Sequence, residues 1–261
     1  DGFVIGTGTV VNRSGATFAS WNLKANGAGS ANTSGTVNST VSVNSTSGFS
    51  IVSWTHNGSA NYTVGHGLGA TPKMILAKTL SGGANWDIYH SDITSGNRLI
   101  LNSTGGQVSG YWGANTVNNN TFSVGSALAS NGTTMIAYCF VDVQGYSKFS
   151  SYLGNGNTNG SFIYTGFKPA FVLIKNSSAV TDWCLRDNKR SPINVTQHTL
   201  FPNTTDTESY GGTSYDIDFL SNGFKIRSTS SRFNTSSNNY IYMALAEAPL
   251  VGTNNTPCIA R

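Results

Sequence analysis

The sequence predicts an all-β protein built from tandem antiparallel β-sandwich domains of jelly-roll or concanavalin-like type, preceded by a partial repeat. Short runs rich in Val, Ile, Tyr, Phe and Thr alternate with Gly, Asn and Ser along the 261 residues, which is typical of strands joined by turns. No stretch keeps a helical period over three turns. A long internal repeat has the size of a small β-domain, with room for about seven to nine strands.

The internal repeat sets the predicted domain organisation. Residues 49–78 can be laid over residues 146–175 without a gap, which places Pro72 on Pro169, Lys78 on Lys175 and Trp86 on Trp183. The two copies are offset by 97 residues, which is too long for one repeat of a solenoid or one blade of a propeller. The predicted units are a terminal hairpin of a preceding, truncated repeat (1–24), a linker or edge strand (25–48), β-sandwich repeat 1 (49–145) and β-sandwich repeat 2 (146–261).

The first two units are predicted from their local pattern. Residues 2–21 have the shape that closes each full copy: a short strand opened by Phe, a polar turn and an apolar strand. We therefore expect a hairpin here, continuing a longer series of units. Residues 25–48 are small and polar, and within them 36–44 (TVNSTVSVN) alternates well enough to form an edge strand.

Each full repeat has one segment that is apolar at nearly every position. The segments MILAK and FVLIK follow Pro72 and Pro169, where a missing backbone N–H favours the start of a strand. A continuous apolar run predicts a central strand that is covered on both faces.

Composition limits the function classes. With 38% hydrophobic residues the chain can form real cores, and no apolar run reaches the length of a membrane span. Arg186, Lys189 and Arg190 form the densest basic cluster, which fits a solvated loop better than a nucleic-acid site. Cys139 lies in the apolar run MIAYCFV, so we expect a small buried side chain.

Candidate catalytic groups are few and differ between the copies. His66 and His90 could in principle hold a metal, but their spacing fits no common site, and a turn histidine is the simpler interpretation. The acids Asp87, Asp92, Asp216 and Asp218 could be glycosidase pairs or calcium ligands, although exposed acids at strand ends fit them better. We therefore predict a protein without catalytic residues, metal or cofactor.

Aromatic residues offer a candidate binding site. Sugars present apolar C–H faces that stack on Trp and Tyr, while polar groups bond their hydroxyls. Trp86 and Trp183 occupy equivalent positions, which favours a core role for both. The candidate carbohydrate-binding residues are Tyr111, Trp112, Tyr152 and Tyr210.

A set of motifs spread over nearly the whole chain resembles a repeated β-domain of unknown function in tail-fibre-like virion proteins of marine, cyanobacterial-type bacteriophages. Asn22 stands where an apolar residue is expected, and Cys184 where Tyr or Thr is usual. The motifs are 21–27 (WNLKANG), 48–54 (GFSIVSW), 64–73 (VGHGLGATPK), 86–91 (WDIYHS), 145–156 (GYSKFSSYLGNG), 164–175 (YTGFKPAFVLIK), 219–227 (FLSNGFKIR) and 240–249 (YIYMALAEAP).

The resemblance implies a virion structural role with a lectin-like sandwich, and it supplies no catalytic residues. We expect a tail fibre or virion-surface protein, located in the virion and used in assembly and host attachment. Expected partners are other virion proteins, further copies of the chain (a trimer is favoured) and a host-surface glycan, with no nucleic acid and no membrane insertion. Alternatives are a lectin-like module, a capsid decoration protein or, less favoured, a polysaccharide depolymerase.

Overall fold

The computed structural model describes residues 3–110, 112–113 and 117–246, and within these it confirms the all-β prediction. The first half contributes β1 (Ser30–Asn32), β2 (Ser39–Asn44), β3 (Phe49–Thr55), β4 (Tyr62–Gly65), β5 (Met74–Thr79), β6 (Asp87–His90), β7 (Asn97–Ile100), β8 (Val108–Ser109), β9 (Thr121–Val124) and β10 (Thr134–Phe140). The second half contributes β11 (Ser147–Leu153), β12 (Phe162–Tyr164), β13 (Pro169–Asn176), β14 (Cys184–Asp187), β15 (His198–Thr199), β16 (Ser209–Tyr210), a short 3-10 helix (Gly212–Tyr215), β17 (Ile217–Leu220), β18 (Gly223–Ile226) and β19 (Asn239–Ala246).

Two antiparallel sheets dominate the fold. The N-terminal sheet has the strand order β1-β2-β3-β10-β5-β6-β7-β8, and the C-terminal sheet has the order β11-β19-β13-β14. Smaller sheets of β4-β9, β12-β18-β17 and β15-β16 accompany them. The four strands β3-β10-β5-β6 and the four strands β11-β19-β13-β14 follow the same order, with the chain reversing direction at each pairing.

Each large sheet is buried on both faces. Along β10, Ala137 and Cys139 belong to one core, whereas Tyr138 and Phe140 belong to another. Successive side chains of a strand point to opposite faces, so this split means that the sheet separates two cores. The strand pairs on both sides of β5 and β13 confirm that these are central strands, and Pro169 begins β13 as predicted.

Two outer cores lie on the far faces of the large sheets. In the first half, Val52, Trp54 and Ala77 pack against Val64 of β4 and Phe122 of β9. The second half has its own outer core, in which β19 and β13 pack against β12, β17 and β18. Cys139 is fully buried in the first of these cores, as predicted.

A third, inter-sheet core joins the two large sheets face to face. Each sheet supplies a row of four paired apolar residues: Ile51, Tyr138, Leu76 and Ile88 from one, and Phe149, Met243, Leu173 and Leu185 from the other. The molecule is therefore a stack of β-layers with three apolar cores.

Polar contacts fasten the rims of the inter-sheet core. The indole Nε1 of Trp183 donates to the Ile100 carbonyl at 2.8 Å, and the Ser150 hydroxyl donates to the Asp92 carboxylate at 3.1 Å. Trp183 is 1% exposed, so the core role predicted for it is confirmed. Trp86 is only half-buried, and it stacks on Tyr138 at a ring-centroid separation of 6.0 Å, so it is a rim residue rather than a core residue.

Lys175 forms the most enclosed of these rim contacts. Its side chain is fully buried, and its Nζ lies 2.9–3.3 Å from the carbonyl oxygens of Thr104, Asn176, Ala179 and Thr181, which share its three N–H donors. A buried charge is costly unless hydrogen bonds surround it, and here four carbonyls do so. One of them belongs to the loop after β7, so this lysine ties the two sheets together.

Two sequence expectations need correction. Residues 3–24 contain no strand, so the hairpin predicted for 1–24 is not formed there; their backbone hydrogen bonds are local turns, and no neighbouring strand pairs with them. The alternating stretch expected to form an edge strand does form a strand, β2, but β2 is not the edge of the sheet, because β1 pairs with its outer side. The division of the chain into repeats remains a prediction.

The gapless overlay of the two halves is also one residue out at β3. In the sheets, Trp54 pairs with Met135 and thereby lies in line with Thr79, while Tyr152 pairs with Tyr240 and lies in line with Asn176. Trp54 therefore corresponds in position to Tyr152 and not to Ser151. The identical motifs at the proline and lysine fixed the overlay around β5, where no shift is needed.

Truncating one side chain of the inter-sheet core should destabilise the whole chain. We expect Phe149→Ala to lower the free energy of unfolding by about 3–5 kcal/mol, since it removes a large buried side chain and leaves a cavity. The control is Leu153→Ala on the same strand, where the side chain is 63% exposed and the cost should stay within about 0.5 kcal/mol. Urea unfolding measures both values, and similar costs for the two variants would contradict the inter-sheet core.

Candidate functional site

Three histidines of the first half stabilise turns in the same way. The Nδ1 atoms of His56, His66 and His90 each accept the backbone N–H two residues later, at 3.0, 3.2 and 3.1 Å. The Nε2 of His66 lies 3.0 Å from the Asn118 carbonyl. The interpretation of His66 as a turn residue is thus supported, because its Nδ1 lone pair is already used by the backbone.

Burial keeps two of these rings neutral. Desolvation lowers the pKa of His66, and it lowers the pKa of His90 to about 4. The carboxylates of Asp92 and Asp142 and a backbone contact with Tyr242 oppose this shift at His90, while Lys73 adds to it. Desolvation is the largest cause, since the His90 side chain is almost fully enclosed.

The acids that sequence analysis considered each have a partner of their own. Asp87 forms a buried ion pair with Arg98, and Asp218 lies 3.5 Å from Arg227. Asp216 accepts a hydrogen bond from Gln197, and Asp92 accepts hydrogen bonds from Ser91 and Ser150. Among the residues that the structure describes, no group of three His, Cys, Asp or Glu side chains could hold a metal ion.

The four candidate carbohydrate-binding aromatics have different positions. Trp112 is 1% exposed in the outer core of the first half, and Tyr152 is buried and stacked on Tyr240 at 5.0 Å, so neither offers a platform to a ligand. Both were selected for their aromatic character, which also makes them good core residues. Tyr111 lies outside the described residues. Tyr210 is 67% exposed.

Tyr210 lies beside a charged cleft that sequence analysis did not predict. The cleft has a volume of about 590 Å³ and is bounded on one side by residues 13–19 and on the other by Arg190, Leu200 and residues 206–208. In the β15–β16 hairpin Tyr210 pairs with His198, and their rings meet edge to face at 5.4 Å. The hairpin therefore sets an exposed aromatic ring next to the cleft.

Two members of a chain of ion pairs, Arg190 and Glu208, line this charged cleft. One carboxylate oxygen of Glu208 lies 2.5 Å from the Arg190 guanidinium nitrogen Nη1, and the other lies 2.9 Å from the His198 nitrogen Nδ1. Arg190 also donates to Asp187 at 2.6 Å. Burial alone would raise the pKa of Glu208, but the hydrogen bonds and positive charges of His198 and Arg190 lower it.

Aromatic rings border the ion-pair chain on both sides. The Arg190 guanidinium lies 5.9 Å from the ring centre of Trp21, and Phe18 lines the cleft with 53% of its surface exposed. Exposed aromatic rings beside fixed carboxylate and guanidinium groups can stack on a sugar face and bond its hydroxyls. The arrangement is suited to binding a polyhydroxylated ligand.

Of the charged cleft, the sequence indicated only one residue, Arg190, through the basic cluster RDNKR (186–190). Arg186 points inward, is fully buried and donates to the Thr196 carbonyl at 3.0 Å, whereas Arg190 reaches the cleft. The roles of Glu208 and His198 depend on the pairing of two-residue strands. Such short strands give no periodic pattern in a sequence, so their contacts could not be predicted.

Comparison with known protein families shows to which family the chain belongs. Residues 1–249 match a family described as Domain of unknown function (DUF7483). The chain belongs to the DUF7483 family. The family match covers the segment before the predicted repeats, the whole of repeat 1, and repeat 2 as far as residue 249. Comparisons with curated proteins and with solved structures found no match.

In the described part of the DUF7483 chain, no helix is long and apolar enough to cross a membrane.

The buried histidines should make the DUF7483 chain sensitive to acid. Because the pKa of His90 is lower in the folded chain than in the unfolded chain, the unfolded chain takes up the proton first as the pH falls from about 6.5 to 4. The free energy of unfolding should then drop by at most about 1.4 kcal/mol per pH unit for each such histidine. Urea unfolding at several pH values measures this slope.

The variant His90→Gln tests the assignment of that slope. Glutamine does not titrate, so the drop in stability between pH 6.5 and 4 should become shallower. The matched control is His198→Gln, which alters an exposed histidine of the charged cleft. A slope unchanged by His90→Gln would contradict the neutral, turn-forming role of His90.

Proposed function

We propose that the chain is a virion structural protein of a bacteriophage, a tail fibre or virion-surface protein used in assembly and host attachment. The observation that carries this proposal is the stack of β-layers with three apolar cores, joined by short polar turns. Such a stack suits a rigid spacer or surface knob that must persist outside a cell. The motif resemblance to phage virion proteins supports the same role, and further virion proteins and copies of this chain are the proposed partners.

Host attachment would use the charged cleft as a carbohydrate-binding site. Tyr210, Trp21 and Phe18 supply exposed aromatic surface, and the chain of Arg190, Glu208 and His198 supplies fixed polar groups. One oxygen of Glu208 is ion-paired with Arg190, and the other accepts a hydrogen bond from His198. This engagement favours binding over a depolymerase, because a hydrolase needs a carboxyl group that is free to deliver or accept a proton.

Particle labelling tests the virion role. An antibody raised against the purified chain, detected with gold particles on intact virions, should label the tail of the virus that encodes the chain. Labelling over the head would instead assign the chain as a capsid decoration protein and contradict the tail-fibre role. Particles that carry no label, and in which mass spectrometry of the purified virions finds no peptide of the chain, would contradict the virion role altogether.

Substitution of Tyr210 tests the carbohydrate site. On a glycan array of bacterial surface polysaccharides, Tyr210→Ala should weaken binding by about 1–2 kcal/mol, or roughly five- to thirtyfold, because it removes a stacking surface. Tyr164→Ala is the matched control, since Tyr164 is 65% exposed but lies on β12, outside the β15–β16 hairpin that carries Tyr210. Equal binding by the two variants would exclude the charged cleft as the glycan site.

A further inference from the structure

We propose that an apolar crevice between the two large sheets binds a small amphipathic molecule with one anionic end, of the long-chain carboxylate class. The crevice has a volume of about 390 Å³, within the range of small-molecule sites in proteins. Its walls include Leu76, Trp86 and Tyr138 from the N-terminal sheet and Phe171, Leu173 and Met243 from the C-terminal sheet. This site is separate from the charged cleft and does not depend on the proposed function.

The crevice is a local departure from close packing. Phe149 and Ile241 of the inter-sheet core are fully buried, whereas Leu76, Tyr138 and Phe171 on the same facing surfaces are only half-buried. Protein interiors normally leave few voids larger than a water molecule. An apolar space of this size, bordered by half-buried apolar side chains, is suited to bind the apolar part of a ligand, which would cover those side chains.

Lys78 supplies the partner for an anionic end. It lies on the same face of β5 as Leu76, and its ammonium is 5.5 Å from the ring centre of Trp86. Its Nζ donates to the Ala84 carbonyl at 2.7 Å, and the described residues offer its remaining N–H groups no acceptor within hydrogen-bond distance. Asp87, whose carboxylate responds to the Lys78 charge, is already paired with Arg98.

The comparison with Lys175 shows what is particular about Lys78. Both lysines lie two residues after a leucine that faces the inter-sheet core. Lys175 is fully enclosed by four carbonyl oxygens, whereas Lys78 is partly exposed and donates to one. The sheet therefore holds a cation with spare donors at the rim of the crevice that Trp86 lines.

The N-terminal segment forms part of the wall of the crevice. Trp21 and Leu23 line it, and the Trp21 ring meets Phe171 edge to face at 6.0 Å. Residues 3–24 contain no strand. At the end of this segment, the Asn44 side-chain amide donates a hydrogen bond to the Lys24 carbonyl at 3.1 Å. A segment with so few backbone bonds can open locally at low cost, which gives a ligand a route in.

Two fluorescent probes with similar aromatic bodies test the proposal on the full chain. One, 1-anilinonaphthalene-8-sulfonate, carries an anionic end, and the other, N-phenyl-1-naphthylamine, is neutral. Both should bind saturably with one site per chain, and sodium dodecanoate should displace both. Absence of saturable binding, or binding that dodecanoate does not displace, would overturn the proposal.

Variants then locate the probes. Leu76→Trp fills the crevice and should weaken both probes at least tenfold, whereas Leu80→Trp, the same change at an exposed position just after β5, should leave both unchanged. Trp86→Ala removes a half-buried wall and should weaken both probes even if Leu76→Trp fails to fold. Equal effects of the Leu76 and Leu80 variants, or no effect of Trp86→Ala, would overturn the site.

Lys78→Gln tests the anionic end alone. It should weaken the sulfonate probe about tenfold, as expected for loss of a hydrogen bond to a charged group, and leave the neutral probe unchanged. Equal weakening of both probes, or of neither, would overturn the role of Lys78 and with it the assignment of an anionic ligand.

Discussion

The structure depends on the contact between the two large sheets. A β-sheet with one covered face can leave the other in water, and its strands then alternate between apolar and polar residues. Here each large sheet has a core on both faces, so β5, β10, β13 and β19 are apolar at most positions. That constraint leaves little room for charge in the strands and explains why only 10% of the residues are charged.

Because the sheets are filled with apolar residues, polar chemistry is confined to their rims and loops. Several polar groups at the rims are paired: Lys175 with backbone carbonyls, Trp183 with the Ile100 carbonyl and Asp92 with Ser150. The charged cleft lies between the N-terminal segment and loops of the second half, where the two-residue strands β15 and β16 bring His198 beside Tyr210. Trp21 contacts both the cleft residue Arg190 and the crevice residue Phe171, so one residue of the N-terminal segment borders both candidate sites.

The sequence predicted those features that depend on repeating local patterns. Strand periodicity, the central position of β5 and β13, and burial of Cys139 and Trp183 all follow from hydrophobic pattern and motif spacing. The contact between the sheets was not predicted, because a strand that is covered on both faces does not reveal what covers it. The same limit applies to aromatics: Trp112 and Tyr152 were chosen as ligand platforms, yet composition does not distinguish a core ring from an exposed one.

The N-terminal segment shows a different limit. Its opening residues have the sequence pattern of a hairpin, but a pattern alone does not form a strand when no neighbouring edge pairs with it. At the outer edge of β11, for example, the backbone N–H of Phe149 is already used, because it donates to the Asp142 carboxylate at 2.8 Å. A charged side chain in that position blocks a further strand.

The central claim is that the inter-sheet core makes the two large sheets one cooperative unit. Native-state amide hydrogen exchange tests it most directly, by comparing β10 at the centre of one sheet with β19 at the centre of the other. The account predicts that the slowest amides of both strands exchange through one global opening, with equal free energies and equal dependence on denaturant. Two distinct opening free energies, with one sheet exchanging while the other stays protected, would contradict it.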